Sequence, residues 1–171
     1  RSGKTAFAQK LASGFEARSG LPVTYGATAE GGDEEMRWRI AKHRSGRPGS
    51  WRTREEPLHP ARAVAEAVRE SSAVILDCLT LFVTNHLLKM EKLPPEEAED
   101  LILRETRKIL DAAESGAAPV VIVSNEVGVG LVSSYELGRR FQDAAGAVHQ
   151  CVASRAGNVY FLVAGIAQKL K

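Results

Sequence analysis

Four apolar segments of the chain have the pattern of buried β-strands. They are residues 22–28 (PVTYGAT), 72–80 (SAVILDCLT), 118–125 (APVVIVSN) and 158–165 (NVYFLVAG). Three of them are nearly continuous in Val, Ile and Leu, whereas a strand with one side in water alternates apolar and polar residues. Continuous runs are typical of strands covered on both faces, so they predict a mainly parallel sheet.

Amphipathic patterns with helical periodicity lie between these strands. They cover residues 5–18, 60–70, 95–115 and 134–155. Pro60 stands at a favoured first helical position, and acidic residues begin the third helix. The alternation predicts an α/β fold, a mainly parallel sheet flanked by helices, in a single domain of residues 1–171. The stretch 92–97 (KLPPEE) is interpreted as a break between two helices.

The chain opens on RSGKT, directly before the first predicted helix. Gly3, Lys4 and Thr5 match the end of the phosphate loop G-x-x-x-x-G-K-[ST], whose backbone N–H groups, lysine and hydroxyl bind phosphates and Mg²⁺. A phosphate loop follows a β-strand, so we expect a first strand and the start of the loop before Arg1. The triplet alone is equally compatible with a helix capped by Thr5.

A carboxylate at the end of the second apolar strand strengthens the nucleotide hypothesis. Asp77 ends the run AVILD, which is where a carboxylate that holds Mg²⁺ stands in phosphate-loop enzymes. The alternative is an aspartate that caps the following turn. Lys4, Thr5 and Asp77 together favour a nucleoside-triphosphate site.

Composition excludes several classes of protein. The net charge is +2, with 44% apolar and 26% charged residues, which is ordinary for a globular protein and not for one that binds duplex nucleic acid. Cys78 and Cys151 have neither metal-ligand nor disulfide spacing, which favours a reducing cytoplasmic location. The longest apolar run is too short for a membrane span.

The segment 33–56 (DEEMRWRIAKHRSGRPGSWRTREE) is the most unusual part of the chain. Its periodicity places His43 in the last turn of a short helix that ends before Gly46. Around it are the cations Lys42, Arg44, Arg47, Arg52 and Arg54. A histidine at this position usually compensates the helix dipole, but a histidine that attacks a nucleotide α-phosphate needs a neutral imidazole among cations, and this segment supplies both.

These stretches occur in an order that resembles one family. RSGKT, the segment 33–56, ILDCLTLFVTN, VIVSNEVGVGLV and the closing LVAGIAQKLK are similar to the bifunctional adenosylcobinamide kinase / adenosylcobinamide-phosphate guanylyltransferase of cobalamin biosynthesis. The resemblance runs from Arg1 to Lys171. The His-x-x-G-R-P and N-E-V-G-x-G patterns are specific to this family, whereas GKT is not.

The resemblance implies a phosphate-loop fold, a homotrimer and two reactions. The family phosphorylates adenosylcobinamide with a nucleoside triphosphate, ATP or GTP, and then transfers GMP from GTP to adenosylcobinamide phosphate. The histidine that carries the guanylyl group falls on His43, three residues before Gly46. A second histidine that some members have is Lys42 here.

The same resemblance implies roles for further residues. Ser2, Gly3, Lys4 and Thr5 would bind the nucleotide phosphates, and Thr5 and Asp77 would bind Mg²⁺. The residues Trp51, Arg52, Thr53 and Glu55 would line the nucleotide site, with Glu55 accepting hydrogen bonds from guanine. Arg47, Asn125 and Glu126 are candidates for substrate binding or catalytic support; capping of the strand end is the alternative for the last two.

Two other functions share part of this pattern. A simple phosphate-loop kinase of small molecules would use Lys4, Thr5 and Asp77 but leaves the segment 33–56 without a role. A non-catalytic nucleotide-binding module would have an arginine-rich surface there by chance. Binding of RNA through the Arg and Trp residues is disfavoured by the near-neutral net charge.

Overall fold

The computed structural model describes residues 2–32 and 34–171, with the backbone alone for Arg39. The helices are α1 (Lys4–Ser19), α2 (Glu34–Ser45), α3 (Ala61–Glu70), α4 (Leu79–Lys89), α5 (Pro95–Ala113) and α6 (Glu136–Arg155). The strands are β1 (Thr24–Ala27), β2 (Arg52–Glu55), β3 (Val74–Asp77), β4 (Val120–Val123), β5 (Tyr160–Val163) and β6 (Ile166–Lys169).

Strands β1 to β4 form a parallel sheet in the order β2-β1-β3-β4. In its register Ala27 pairs with both Glu55 and Asp77, and Asp77 pairs with Val123. Because the strands are parallel, their carboxyl ends meet at one edge, where ligands bind in open α/β sheets. This register therefore brings the end of each strand, including Asp77, to the same edge.

Apolar side chains cover both faces of this sheet. On one face α1 contributes Ala8 and Ala12 to a cluster with Tyr25 and Ile75. On the other, the side chains of α4, α5 and α6 surround Leu76 in a second buried cluster. The prediction of an α/β fold with a parallel sheet flanked by helices is confirmed, and the continuous apolar strands are explained by this double coverage.

Three elements were not predicted from the pattern. Strand β2 reads RTRE and lacks the apolar residues that mark a buried strand, because it lies at the edge of the sheet. Helix α4 follows β3 after one residue, so its apolar residues merge with those of the strand. Strand β6 pairs antiparallel with β5 in a separate hairpin. Pro60 caps α3 from the position before its first residue rather than occupying that residue.

Helix α1 leads directly to the edge where the strands end. It packs against β3 and β4, and its first turn begins at Gly3, where the chain turns into the helix. In the described part of the chain, the helices are too short or too polar to cross a lipid bilayer. Both cysteines are free thiols, Cys78 buried and Cys151 partly buried.

Candidate active site

The end of the predicted phosphate loop begins helix α1. Gly3 has φ 91°, a left-handed conformation that favours glycine, and a Cβ there would lie 3.1 Å from the Cα of Gly165. The Lys4 ammonium donates a hydrogen bond to the Ser2 hydroxyl over 3.4 Å. The backbone N–H groups of the first helical turn have no acceptor within the helix, so this end of α1 is suited to bind an anion.

Thr5 and Asp77 meet although 72 positions separate them. The Thr5 Oγ1 donates to Asp77 Oδ2 over 3.0 Å, and α1 has no hydrogen bond from a capping side chain. The hydroxyl is therefore directed at the strand end rather than at the helix backbone. Asp77 likewise provides no cap for α4, whose N-cap residue Cys78 also lacks such a bond.

Tyr25 is a further partner of Asp77. Its hydroxyl donates a short hydrogen bond to the same oxygen, Oδ2. Burial, followed by the charge of Asp77, raises the pKa of the Tyr25 hydroxyl above its ordinary value. The phenol therefore stays protonated and remains a donor to Asp77 throughout the physiological pH range.

Arg47 belongs to residues 43–51, the His43 segment, and connects this segment to the Asp77 carboxylate through Tyr25. Its guanidinium carbon lies 3.5 Å from the centroid of the Tyr25 ring, a cation–π contact. Its Nη1 donates to Thr53 Oγ1 over 3.0 Å. Among the described residues the buried Arg47 Nε finds no acceptor. Arg47 thus joins β1, β2 and the loop after α2.

Strand β2 divides the arginine-rich cluster between its two faces. Arg52 and Arg54 form ion pairs with Glu70 of α3 at 3.5 and 2.6 Å. On the other face Glu55 lies 3.9 Å from Arg44, and Thr53 contacts Arg47. Side chains alternate between the two faces of a strand. In β2, therefore, Thr53 and Glu55 face residues 43–51, whereas Arg52 and Arg54 face α3.

His43 lies in the last turn of α2, as the periodicity predicts. Its side chain is exposed, and within the described residues it forms no hydrogen bond or ion pair. Lys42, its neighbour, stacks over the Trp38 ring at 4.9 Å. The structure thus presents His43 to solvent and brings it into no direct contact with Lys4 or Asp77.

Trp51 packs in the core and anchors the His43 segment to α1. It is 8% exposed and belongs to the cluster that contains Tyr25. The Trp51 Nε1 donates to Glu16 Oε2 over 2.8 Å, and the Ser50 hydroxyl donates to Glu16 Oε1 over 2.9 Å. One carboxylate of α1 therefore fixes the chain between His43 and β2.

Asn125 and Glu126 lie just beyond β4, at the same edge of the sheet. The Asn125 Nδ2 donates to Thr80 Oγ1 over 2.8 Å. One oxygen of Glu126 accepts the backbone N–H of Gly128, and the other lies 3.6 Å from His149 Nδ1. Glu126 thus caps its own turn with one oxygen, and the second oxygen faces a histidine.

Comparison with known proteins decides the family. The family model described as "Cobinamide kinase / cobinamide phosphate guanyltransferase" matches residues 1–170. The chain belongs to this family. It is 42% identical over its whole length to the bifunctional adenosylcobalamin biosynthesis protein CobP of Pseudomonas aeruginosa, and covers 92% of that protein. It is 37% identical to the bifunctional adenosylcobalamin biosynthesis protein CobU of Escherichia coli, again over its whole length and 95% of the relative.

Membership of the cobinamide kinase / guanyltransferase family confirms the resemblance inferred from the motifs. Two residues that contact the candidate site, Tyr25 and Glu16, were not predicted from the sequence. Tyr25 and Glu16 carry no motif, because a tyrosine in a strand and a glutamate in a helix are ordinary residues. Their contacts arise from the fold, which joins positions 35 and 52 residues apart.

Proposed function

We propose that this chain phosphorylates adenosylcobinamide with a nucleoside triphosphate and then transfers GMP from GTP to the phosphate it has made. One domain of residues 1–171 would carry both reactions. The observation that carries the proposal is the meeting of Thr5 with Asp77 at the N-terminus of α1. That arrangement, in a member of the cobinamide kinase / guanyltransferase family, is the one that phosphoryl transfer requires.

In the kinase step, the residues of the loop would hold the triphosphate. The backbone at Ser2 and Gly3 and the N-terminus of α1 attract its oxygens, and Lys4 would leave Ser2 to neutralise charge that develops during transfer. The substrate hydroxyl attacks the γ-phosphorus, and the nucleoside diphosphate leaves.

Mg²⁺ fits the pair formed by Thr5 and Asp77. A hydroxyl and a carboxylate oxygen 3.0 Å apart are hard oxygen ligands, and Mg²⁺ takes few protein ligands because water and phosphate oxygens complete its shell. The ion would supply charge neutralisation at the phosphates.

In the guanylyl step, an imidazole nitrogen of His43 would attack the α-phosphorus of GTP, and pyrophosphate would leave. A phosphate oxygen of adenosylcobinamide phosphate would then attack the guanylyl phosphorus and release His43. Exposure of His43 supports this role, because both a nucleotide and a bulky acceptor must reach the nitrogen. The Glu55 carboxylate, on the face of β2 that contacts Arg44, would accept hydrogen bonds from guanine N1–H and its amino group.

A labelling experiment tests the guanylyl step. Incubation with α-³²P-GTP and Mg²⁺ should leave label that is lost in acid and stable in alkali, as expected for a phosphoramidate. His43→Ala should abolish the label, and His59→Ala, which changes another exposed histidine, should retain it. Label that persists in His43→Ala would contradict the assignment. Phosphorylation of cobinamide without any label would favour the simple kinase, and binding of nucleotide without either reaction would favour the non-catalytic module.

We also propose a cytoplasmic homotrimer. Val129, Leu131, Val132 and Tyr135 are between 78% and 95% exposed in the loop before α6, and such apolar patches are typical of interfaces between proteins. Light scattering should give about three times the 18.5 kDa of the chain; a mass of one chain would exclude the trimer.

A further inference from the structure

A serine, a histidine and a glutamate form a connected cluster that no motif indicated. The Ser124 Oγ lies 2.6 Å from the His149 Nε2. The other ring nitrogen, Nδ1, lies 3.6 Å from a carboxylate oxygen of Glu126. Because Nδ1 faces a carboxylate, the tautomer with its proton on Nδ1 is favoured, and Nε2 is then free to accept the proton of the Ser124 hydroxyl.

This cluster lies at the same edge of the sheet as the proposed phosphoryl-transfer site. Asp77 and Val123 are register partners in neighbouring strands, and Ser124 is the next residue along the chain. Neighbouring strands are about 4.8 Å apart, so the backbone of Ser124 lies beyond the strand ends beside that of Asp77, and its hydroxyl is directed to His149 of α6. The bond from Asn125 to Thr80 fixes the backbone at this position.

We propose that Ser124 is the residue that takes the proton from the substrate hydroxyl in the kinase step and passes it to His149, which Glu126 orients. This proposal rests on the proposed kinase function and assigns a proton acceptor to that step. Ser124 is the catalytic group, since it would contact the substrate. His149 and Glu126 act through it as positioning residues.

In the kinase step one proton would move along this cluster while one bond to the γ-phosphorus forms and another breaks. The substrate oxygen forms a bond to the γ-phosphorus while the bond between that phosphorus and the β–γ bridging oxygen breaks, and the nucleoside diphosphate leaves with that electron pair. The substrate proton moves to Ser124 Oγ as the serine proton moves to His149 Nε2. The imidazolium that results faces the Glu126 carboxylate, and the proton is later released to water.

The surroundings of His149 suit an acceptor. The side chain is 20% exposed, and Glu126 is the charged group that faces it among the described residues. Burial, the larger effect, lowers the pKa of His149, and the Glu126 carboxylate opposes this shift. The ring is therefore neutral near pH 7 and able to take a proton.

Substitution of His149 tests the relay through the pH profile of the kinase step. His149→Gln keeps a hydrogen-bonding group near Ser124 but does not titrate. We expect its kcat for phosphorylation of cobinamide to fall at least tenfold with an unchanged KM, since general-base catalysis contributes roughly 10²–10⁴-fold. The wild-type rate should fall on acidification as His149 becomes protonated, and this acidic limb should be absent from the variant.

Control variants distinguish loss of the proton relay from misfolding of the protein and from absence of the kinase activity. Ser124→Ala should show the same loss of kcat, His59→Gln should show none, and each variant should still label His43 from GTP. A kcat within twofold of wild type, or an unchanged acidic limb, in His149→Gln would overturn the relay while the kinase stands. A wild-type protein without kinase activity would overturn the proposed function and the relay with it.

Discussion

Tyr25 contacts both the carboxylate beside the phosphate loop and the segment that follows His43. Its hydroxyl donates to Asp77 and its ring supports Arg47. A hydrogen bond to a charged group contributes about 1.5–3 kcal/mol, and this one fixes the oxygen that Thr5 also contacts. The position of Asp77 therefore depends on a residue outside the phosphate loop.

Replacing this hydroxyl should affect the kinase step more than the guanylyl step. Tyr25→Phe removes the donor to Asp77 and keeps the ring beneath Arg47. We expect kcat for phosphorylation to fall about tenfold, which corresponds to about 1.4 kcal/mol of barrier, with labelling of His43 within about twofold of wild type. An unchanged kinase rate in steady-state assays would show that Asp77 needs no such support.

Loss of Lys4 should slow the kinase reaction. Lys4→Ala removes the ammonium that would neutralise the transferring phosphoryl group, and we expect the rate of cobinamide phosphorylation to fall at least 10²-fold. Lys10→Ala, an exposed lysine of the same helix, serves as the control. A retained rate in Lys4→Ala, measured by transfer of ³²P from γ-labelled ATP, would favour a simple helix start over a phosphate loop.

Sequence alone predicted that Thr5 and Asp77 belong to one site, because both stand at positions that local spacing marks. Thr5 follows Gly-Lys at the start of a helix and Asp77 ends an apolar strand, so the contact between these two residues follows from the topology of a parallel sheet. The roles of Trp51 and Tyr25 depend on which distant side chain each meets. That information lies in the packing of α1 and β1 against the segment after His43, and no local pattern encodes it.

Strand β2 places neighbouring residues of the arginine-rich segment on opposite faces of the sheet edge. The pattern RTRE carries two arginines that contact α3 and two residues that face the His43 segment. The sequence did not predict this strand, because an edge strand can carry polar residues on both faces. Apolar and polar residues then do not alternate, and the hydrophobic pattern gives no sign of a strand. Once the strand is known, the alternation assigns each side chain to a face.

Substitutions on the two faces of β2 should have different effects. Glu55→Gln replaces the carboxylate acceptor on the His43 side, and we expect labelling of His43 by GTP to fall about tenfold. Arg54→Gln breaks the ion pairs with Glu66 and Glu70, which are partly exposed and contribute about 0–1 kcal/mol, so labelling should be unchanged and Tm slightly lower. Equal labelling by Glu55→Gln and wild type would exclude the guanine contact.

The stability of the whole molecule should depend on pH through a buried histidine. His86 of α4 is 4% exposed, and its Nδ1 contacts the Phe82 carbonyl oxygen over 3.0 Å. Burial is the largest cause that lowers the pKa of His86, and electrostatic interaction with His59 and Lys89 adds to it. The unfolded chain therefore binds this proton more readily than the folded protein does.

The sign of the effect follows from that difference. Below about pH 6.5, the ordinary pKa of histidine, the free energy of unfolding should fall as pH is lowered toward the folded-state pKa of His86. His149, whose pKa is lowered in the same direction, should contribute similarly. Urea unfolding at pH 7.5, 6.5 and 5.5 should show this decline, and His86→Leu should reduce its slope. An equally steep decline in that variant would assign the effect to other groups.

The Glu16 carboxylate accepts hydrogen bonds from Ser50 and Trp51. Helix α1 therefore holds these residues at a fixed distance from the phosphate loop at its other end. Glu16 follows Lys4 by twelve positions in α1, and an α-helix rises about 1.5 Å per residue, so about 18 Å of helix lies between them. One residue inserted within that length would rotate Glu16 by about 100° around the helix axis and withdraw it from Trp51. The number of residues in α1 thus sets the separation between the phosphate loop and the anchor of the His43 segment.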